Sequence, residues 1–208
     1  MQTFRPFTFI AVVCLSILGA GPASAASPFK KARGGVHHVS SGVIFPSRVG
    51  AFRFDGTNVY GSAGRDVSAE YNVASVVRGN VYVYPLGTYA KDFNAELRVQ
   101  QSAIKQLNQA VKQVSQSRLQ QNQAGRAVSG VRVQYELTRS LFGKKRRAGS
   151  QLYLFRDGRW LVQYRFSYPI EQTGAANKQI ADFLRLWQWR APGLVTQLNP
   201  IFADGRRS

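Results

Sequence analysis

The spacing of apolar and polar positions along this chain changes several times, and each change marks an expected element. From Phe52 the pattern alternates. Phe52-Arg53-Phe54 leads into a turn at Asp55-Gly56-Thr57, and Val67, Ala69, Tyr71 and Val73 then recur at every second residue, as one face of a strand requires. A further run, Val81-Tyr82-Val83-Tyr84, follows Gly79-Asn80. That dipeptide predicts a hairpin, because glycine supplies the positive φ of the turn, and Pro85 ends the strand by removing a ladder donor. Beyond it Phe93, Leu97, Ile104, Leu107, Val111 and Val114 fall three, four or seven residues apart. This period predicts a long helix over 91–121 with one buried side.

Alternation returns after Gly125 and Gly130. Val131, Val133, Tyr135 and Leu137 alternate with Arg132, Gln134, Glu136 and Thr138, and a second run covers 151–156. A two-residue turn at Asp157-Gly158 would set Phe155 opposite Trp160, Tyr153 opposite Val162 and Leu154 opposite Leu161. Aromatic residues then crowd one face of this meander. The other face mixes Leu152, Leu154 and Leu161 with Arg156, Arg159 and Arg165, a composition expected of a face only partly covered. A closing helix is expected over 175–189, with Ile180, Phe183, Leu184 and Trp187 on one side and Pro192-Gly193 as its stop. Helices apolar on one side only pack against the faces of a sheet. The fold class expected is therefore α+β, a mostly antiparallel sheet flanked by helices, in one domain over 48–208.

The N-terminal region carries different information. Arg5 precedes an apolar run from Phe7 to Leu18, then Gly19, Gly21 and Pro22, then Ala23-Ser24-Ala25. This is the order of a secretory signal peptide over 1–25, with cleavage expected before Ala26 and a periplasmic or secreted product. The run is too short for a membrane span of about 20 apolar residues, and Cys14 follows Val13 in mid-run rather than standing at a lipid-attachment site. Cleavage removes the only cysteine, so no disulfide is available and the fold must rest on its apolar core. Residues 26–47, rich in serine, glycine and cations such as Lys30, Lys31 and Arg33, read as a flexible basic lead-in.

Charge decides what kind of partner to expect. The chain has a net charge of +18, falling to +17 when Arg5 leaves with the leader, and such an excess favours acidic surfaces. Outside the cytoplasm those are anionic lipid, lipopolysaccharide phosphates, acidic glycans or an acidic protein; export argues against nucleic acid. Two cationic features are candidate partner-binding elements. Lys144, Lys145, Arg146 and Arg147 stand between glycines at an expected hairpin tip, where about 1 kcal/mol per cation is available at an anionic lipid surface; as a solvated loop they would instead guard the sheet from edge pairing. Arg98, Lys105 and Lys112 recur at every seventh residue of the expected long helix, either as a solvated face or as an anion-facing one.

Catalytic chemistry finds little support. A serine triad would need His37 or His38, both in the lead-in, where a base is hard to hold within reach of a nucleophile. Adjacent histidines can bind metal, but no cysteine and no carboxylate nearer than Asp55 completes a site. Gly61-Ser62-Ala63-Gly64 lacks the lysine and hydroxyl residue of a phosphate-cradling loop. Asp66 with Glu70, or Glu136 with Glu171, are the nominal carboxylate pairs for a hydrolase on an envelope substrate, the alternative function. Each of these acids is expected to serve as an ion-pair partner for the abundant arginines. No catalytic residue, cofactor or metal is expected, and the chain reads as a non-catalytic binding or assembly protein of the cell envelope.

The order of hairpin, long helix, meander and closing helix resembles the PsbP-like α/β/α sandwich, the fold of the photosystem II extrinsic protein and of exported bacterial proteins of unknown function. The hairpin over 67–84, the strand over 159–169 ending Phe166-Ser167-Tyr168-Pro169, and Ala181-Asp182-Phe183-Leu184 carry the likeness, which covers about 52–189. It implies the fold and a binding or assembly role outside the cytoplasm. No catalytic residue is implied by it.

Overall fold

The computed structural model describes residues 27–107 and 110–190; the expected signal peptide lies outside the described residues. Eight strands form one antiparallel sheet: β4 (Arg48–Val49), β5 (Phe52–Tyr60), β6 (Asp66–Val73), β7 (Val77–Pro85), β8 (Lys112–Gln123), β9 (Arg126–Leu141), β10 (Lys144–Asp157) and β11 (Trp160–Pro169). Their spatial order is β4-β5-β6-β7-β11-β10-β9-β8. After β7 the chain runs through helix α1 (Phe93–Leu107) to the far edge of the sheet, then meanders back until β11 pairs with β7. Helix α2 (Thr173–Leu186) follows a short 3-10 turn over Ile170–Gln172.

The two helices take opposite faces because strand side chains alternate. Leu97 and Ile104 of α1 pack on Tyr84, Val133, Leu152, Leu154 and Leu161. On the other face Ile180 and Phe183 of α2 join Tyr71, Tyr153, Tyr164, Phe166 and Trp187 in a core dominated by aromatic rings. The α+β class, with its antiparallel sheet between helices, is thus the observed one.

Several local expectations are corrected. The long helix stops at Leu107, and the stretch expected as its second half is the edge strand β8, so Lys112 lies on a strand. Alternation was masked there by glutamines, which are good helix formers; β9 offers an open edge, and the hairpin Ala124-Gly125, with φ of 51° and 82°, turns β8 back along it. Gly79-Asn80 does not turn either. It sits inside β7, where the Phe166 ring lies on the bare Cα and any Cβ would fall 2.8 Å from ring carbons; the turn is at 74–76, with Ser75 at φ 57°. The last hairpin turns at Gly158-Arg159, with Asp157 paired to Trp160. Phe155 therefore faces Val162, Tyr153 faces Tyr164 and Leu154 faces Gln163, a two-residue shift that leaves every side chain on its expected face.

Residues 26–47, expected as a flexible lead-in, contain three paired strands: β1 (Phe29–Ala32), β2 (Gly35–His38) and β3 (Ile44–Pro46). His38 ties this small sheet to the body. Its ring is fully buried, with Nδ1 2.7 Å from Ser41 Oγ and Nε2 2.9 Å from the Gly64 carbonyl, and it lies edge-on to Trp160. Burial lowers its affinity for a proton, the Gly64 bond opposes that, and the neighbouring His37 adds to it. A histidine held neutral in this way contributes stability that is complete above the unfolded value near 6.5 and declines as pH falls below it. Urea titrations should show the midpoint falling between about pH 7.5 and about pH 5.5, much less so in His38→Gln and only slightly less in His37→Gln, which removes the smaller charge effect. Equal pH dependence in wild type and His38→Gln would refute this anchoring role.

Candidate functional site

Helix α1 does not cover the whole of its sheet face. Around Ile104, near its C-terminal end, the strand residues change from apolar to polar. Along β7 and β11 the register sets Asn80 opposite Arg165 and Arg78 opposite Ser167, and on β10 Ser150 faces Ser167. Arg139 reaches in from β9 and donates from Nη1 to Ser167 Oγ at 2.9 Å. Together these residues line a cavity of about 460 Å³, with Tyr82, Ile104 and Leu137 as its less polar wall.

The site holds three guanidiniums without an acid. Among the described residues, ion pairs are made by Arg126, Arg146, Arg147, Arg185 and Arg190, and none by Arg78, Arg139 or Arg165. Glu70, opposite Asn80 on β6, instead accepts from Asn58 Nδ2 at 3.3 Å. Partial burial, followed by the charges of Arg165 and Arg78, makes the Arg139 guanidinium hold its proton less firmly than usual. The Tyr82 hydroxyl is pushed up by burial while Arg165 pulls it down, so it stays a neutral donor. Crowding like charges costs stability. An arrangement that does so at a cavity, while carboxylates are used elsewhere, is suited to receive an anion.

Two buried hydroxyls complete the donor set. Ser167 is 6% exposed and accepts from Arg139, leaving its own proton free to donate; Ser150 is 5% exposed, and its hydroxyl has no hydrogen-bond partner among the described residues. Sequence reading had placed Arg165 on the partly covered face. It missed Arg78 and Arg139, which join the site only because β11 lies between β7 and β10 in the sheet.

The cations singled out from sequence lie elsewhere. The turn before β10 is Phe142-Gly143, with φ of 51° and 76°, so Lys144, Lys145, Arg146 and Arg147 form the start of that strand rather than a loop tip. They divide between its two faces. Arg146 pairs with Glu171 and Arg147 with Glu136, both at 3.2 Å, while Lys144 and Lys145 are exposed. Arg98 and Lys105 are exposed on α1 and Lys112 on β8.

The nominal acid pairs are separated in the same way. Glu136 and Glu171 each hold their own arginine. Asp66 is buried at the start of β6 and accepts from the Tyr89 hydroxyl, its carboxyl raised by burial against the opposing pull of that bond, whereas Glu70 bonds Asn58. Among the described residues no group of three histidine, aspartate or glutamate side chains could hold a metal ion. No helix there is long and apolar enough to cross a membrane.

Fold and site together define an antiparallel α+β protein with an arginine-lined pocket on one sheet face. No family model matches the chain and no curated protein matches it. Among solved structures it is similar to the solution structure of cyanobacterial PsbP from Synechocystis sp. PCC 6803, with 9% identity and a TM-score of 0.44 over 80% of this chain and 95% of that one. It is also similar to a Pseudomonas aeruginosa protein of unknown function, with 11% identity and a TM-score of 0.37 over 75% and 94% of the two chains. The first belongs to the group that the order of elements resembles. At such identities the likeness concerns architecture and leaves function to the site.

Proposed function

We propose that this chain is an exported, non-catalytic binding protein that engages an acidic component of the cell envelope through the pocket of Arg78, Arg139 and Arg165. The observation that supports this reading is the convergence of three guanidiniums on one cavity with no carboxylate in its lining. Export rests on the leader over 1–25. A net positive protein would be drawn toward anionic surfaces at long range, and the pocket would supply the short-range contacts.

Vesicle co-sedimentation tests it. Wild-type protein should be captured by anionic vesicles and released as salt rises. The variant Arg78→Gln/Arg139→Gln/Arg165→Gln should bind at least about tenfold more weakly, since hydrogen bonds to charged groups contribute about 1.5–3 kcal/mol each. Lys144→Gln/Lys145→Gln, which removes exposed and unpaired charge, should lose less than that. Capture of the pocket variant at the wild-type level, together with small-anion binding that the three substitutions leave unchanged, would reject the reading.

A further inference from the structure

We infer that the pocket is built for a phosphate monoester, an inference that rests on the acidic-partner reading and narrows it to one ligand chemistry. Three observations converge. The first is charge. Three guanidiniums share one small site, and a monoester dianion answers more of that charge than a carboxylate or a phosphodiester, each of which carries one negative charge; its second ionisation lies near pH 6.

The second observation is shape. A carboxylate is planar and offers two oxygens, which two forked arginines satisfy, whereas a phosphate presents three terminal oxygens in different directions. Arg78 comes from β7, Arg165 from β11 and Arg139 from β9, so three separate strands of the sheet bring a forked donor to the cavity, one more than a carboxylate's two oxygens can engage in pairs. Ser150 and Ser167, both more than nine-tenths buried, place hydroxyl donors in the floor between them.

The third observation is the asymmetry of the walls. Ile104, Leu137 and the ring of Tyr82 border the same cavity. An inorganic ion would leave this side unused. The carbon substituent of an ester would lie against it and lose apolar surface to the protein. A lipid whose headgroup ends in a phosphate monoester and a soluble phosphate monoester share this chemistry.

Calorimetric titration of the full chain at about pH 8, where the dianion predominates, separates the classes. Monobutyl phosphate should bind about tenfold or more tightly than dibutyl phosphate or butyrate. Arg165→Gln should weaken it about 10- to 100-fold, and Arg165→Lys less, because lysine keeps the charge and loses the fork. Arg165 is half-buried, so Arg78→Gln, on an exposed side chain, provides a second variant with little risk to folding; unchanged near-ultraviolet circular dichroism checks both.

Vesicles of phosphatidic acid and of phosphatidylglycerol at matched surface charge identify the source. Preference for phosphatidic acid indicates the lipid headgroup, and equal capture with tight monobutyl phosphate binding indicates a soluble ester. If butyrate binds as well as monobutyl phosphate, or if no small anion binds while vesicle capture still depends on the three arginines, the phosphate inference is overturned and the acidic-partner reading survives. If neither vesicles nor small anions respond to the arginine variants, both fail.

Discussion

Phe183→Ala is expected to destabilise the fold by about 3–5 kcal/mol, the range for emptying a buried aromatic site. The ring is fully buried on α2 and stands at the centre of the aromatic core, with ring centroids 4.7 Å from Phe52, 5.2 Å from Tyr71, and 5.4 Å from both Phe166 and Trp187. Its neighbours belong to β5, β6, β11 and the end of α2 itself. Truncation thus opens a void that no single element can collapse into. Rigid rings on a twisted sheet relax less than aliphatic chains, which keeps the expected cost toward the upper part of the range. A domain of this size has about 5–15 kcal/mol of stability in all, and the chain's only cysteine is Cys14, so no disulfide offsets the loss. Thermal melting should fall by about 10 °C or more. Leu186→Ala, on the same helix but 46% exposed, should move it by little. A Phe183→Ala protein that melts within a few degrees of wild type would show that α2 is not the element that closes this face.

How much of this was legible before the structure follows from what each feature depends on. Phe183 was readable because its burial is written in a 3.6-residue period shared with Ile180 and Trp187, a local signal. The faces of β9, β10 and β11 were readable for the same reason, and a two-residue error in the last turn did no harm because strand faces repeat every second residue. Local signals failed where the partner decides. The glutamine-rich stretch 112–123 satisfies helix propensity, yet the open edge of β9 takes it as a strand. Gly79 is a glycine because a ring from β11 rests on it, not because the chain turns.

The candidate site was the least legible part for a related reason. Arg78, Arg139 and Arg165 are scattered over the sequence, and the order β7-β11-β10-β9 that gathers them is not the order of the chain. Only Arg165 was placed on the right face, as one of three arginines, with Arg156 and Arg159, among the leucines of the partly covered side. The run Lys144-Lys145-Arg146-Arg147 drew attention because it is contiguous. Contiguity in a strand, however, sends neighbours to opposite faces, and two of the four are taken up by Glu171 and Glu136. A count of cations in sequence says less about anion binding than which of them lack an acid in space.

That distinction leads to the opposite case, an acid with two cations. Asp157, at the end of β10, is 6% exposed; its Oδ1 pairs with Arg126 of β9 and its Oδ2 with Arg190 at 3.0 Å, just past α2. It joins the start of β9, the last hairpin and the chain leaving α2. Asp157→Ala is expected to cost about 2–3 kcal/mol. Removing one member of a fully buried pair costs about 3–5 kcal/mol, and the lower figure applies because Arg126 is 56% exposed and recovers its hydration. Arg190, at 27%, recovers less and is left without a counter-charge. Arg126→Ala should therefore cost under about 1 kcal/mol and Arg190→Ala more, with a double-mutant cycle assigning the larger coupling to Asp157 and Arg190. Asp157 stands seven residues along β10 from Ser150, a span of about 20 Å in a strand, so phosphate affinity at the arginine pocket should be unchanged in the folded Asp157→Ala protein. Unfolding free energies of Asp157→Ala within about 0.5 kcal/mol of wild type would mean that this buried carboxylate is a bystander, and a matching drop in anion affinity would mean that the two ends of the sheet are coupled rather than independent.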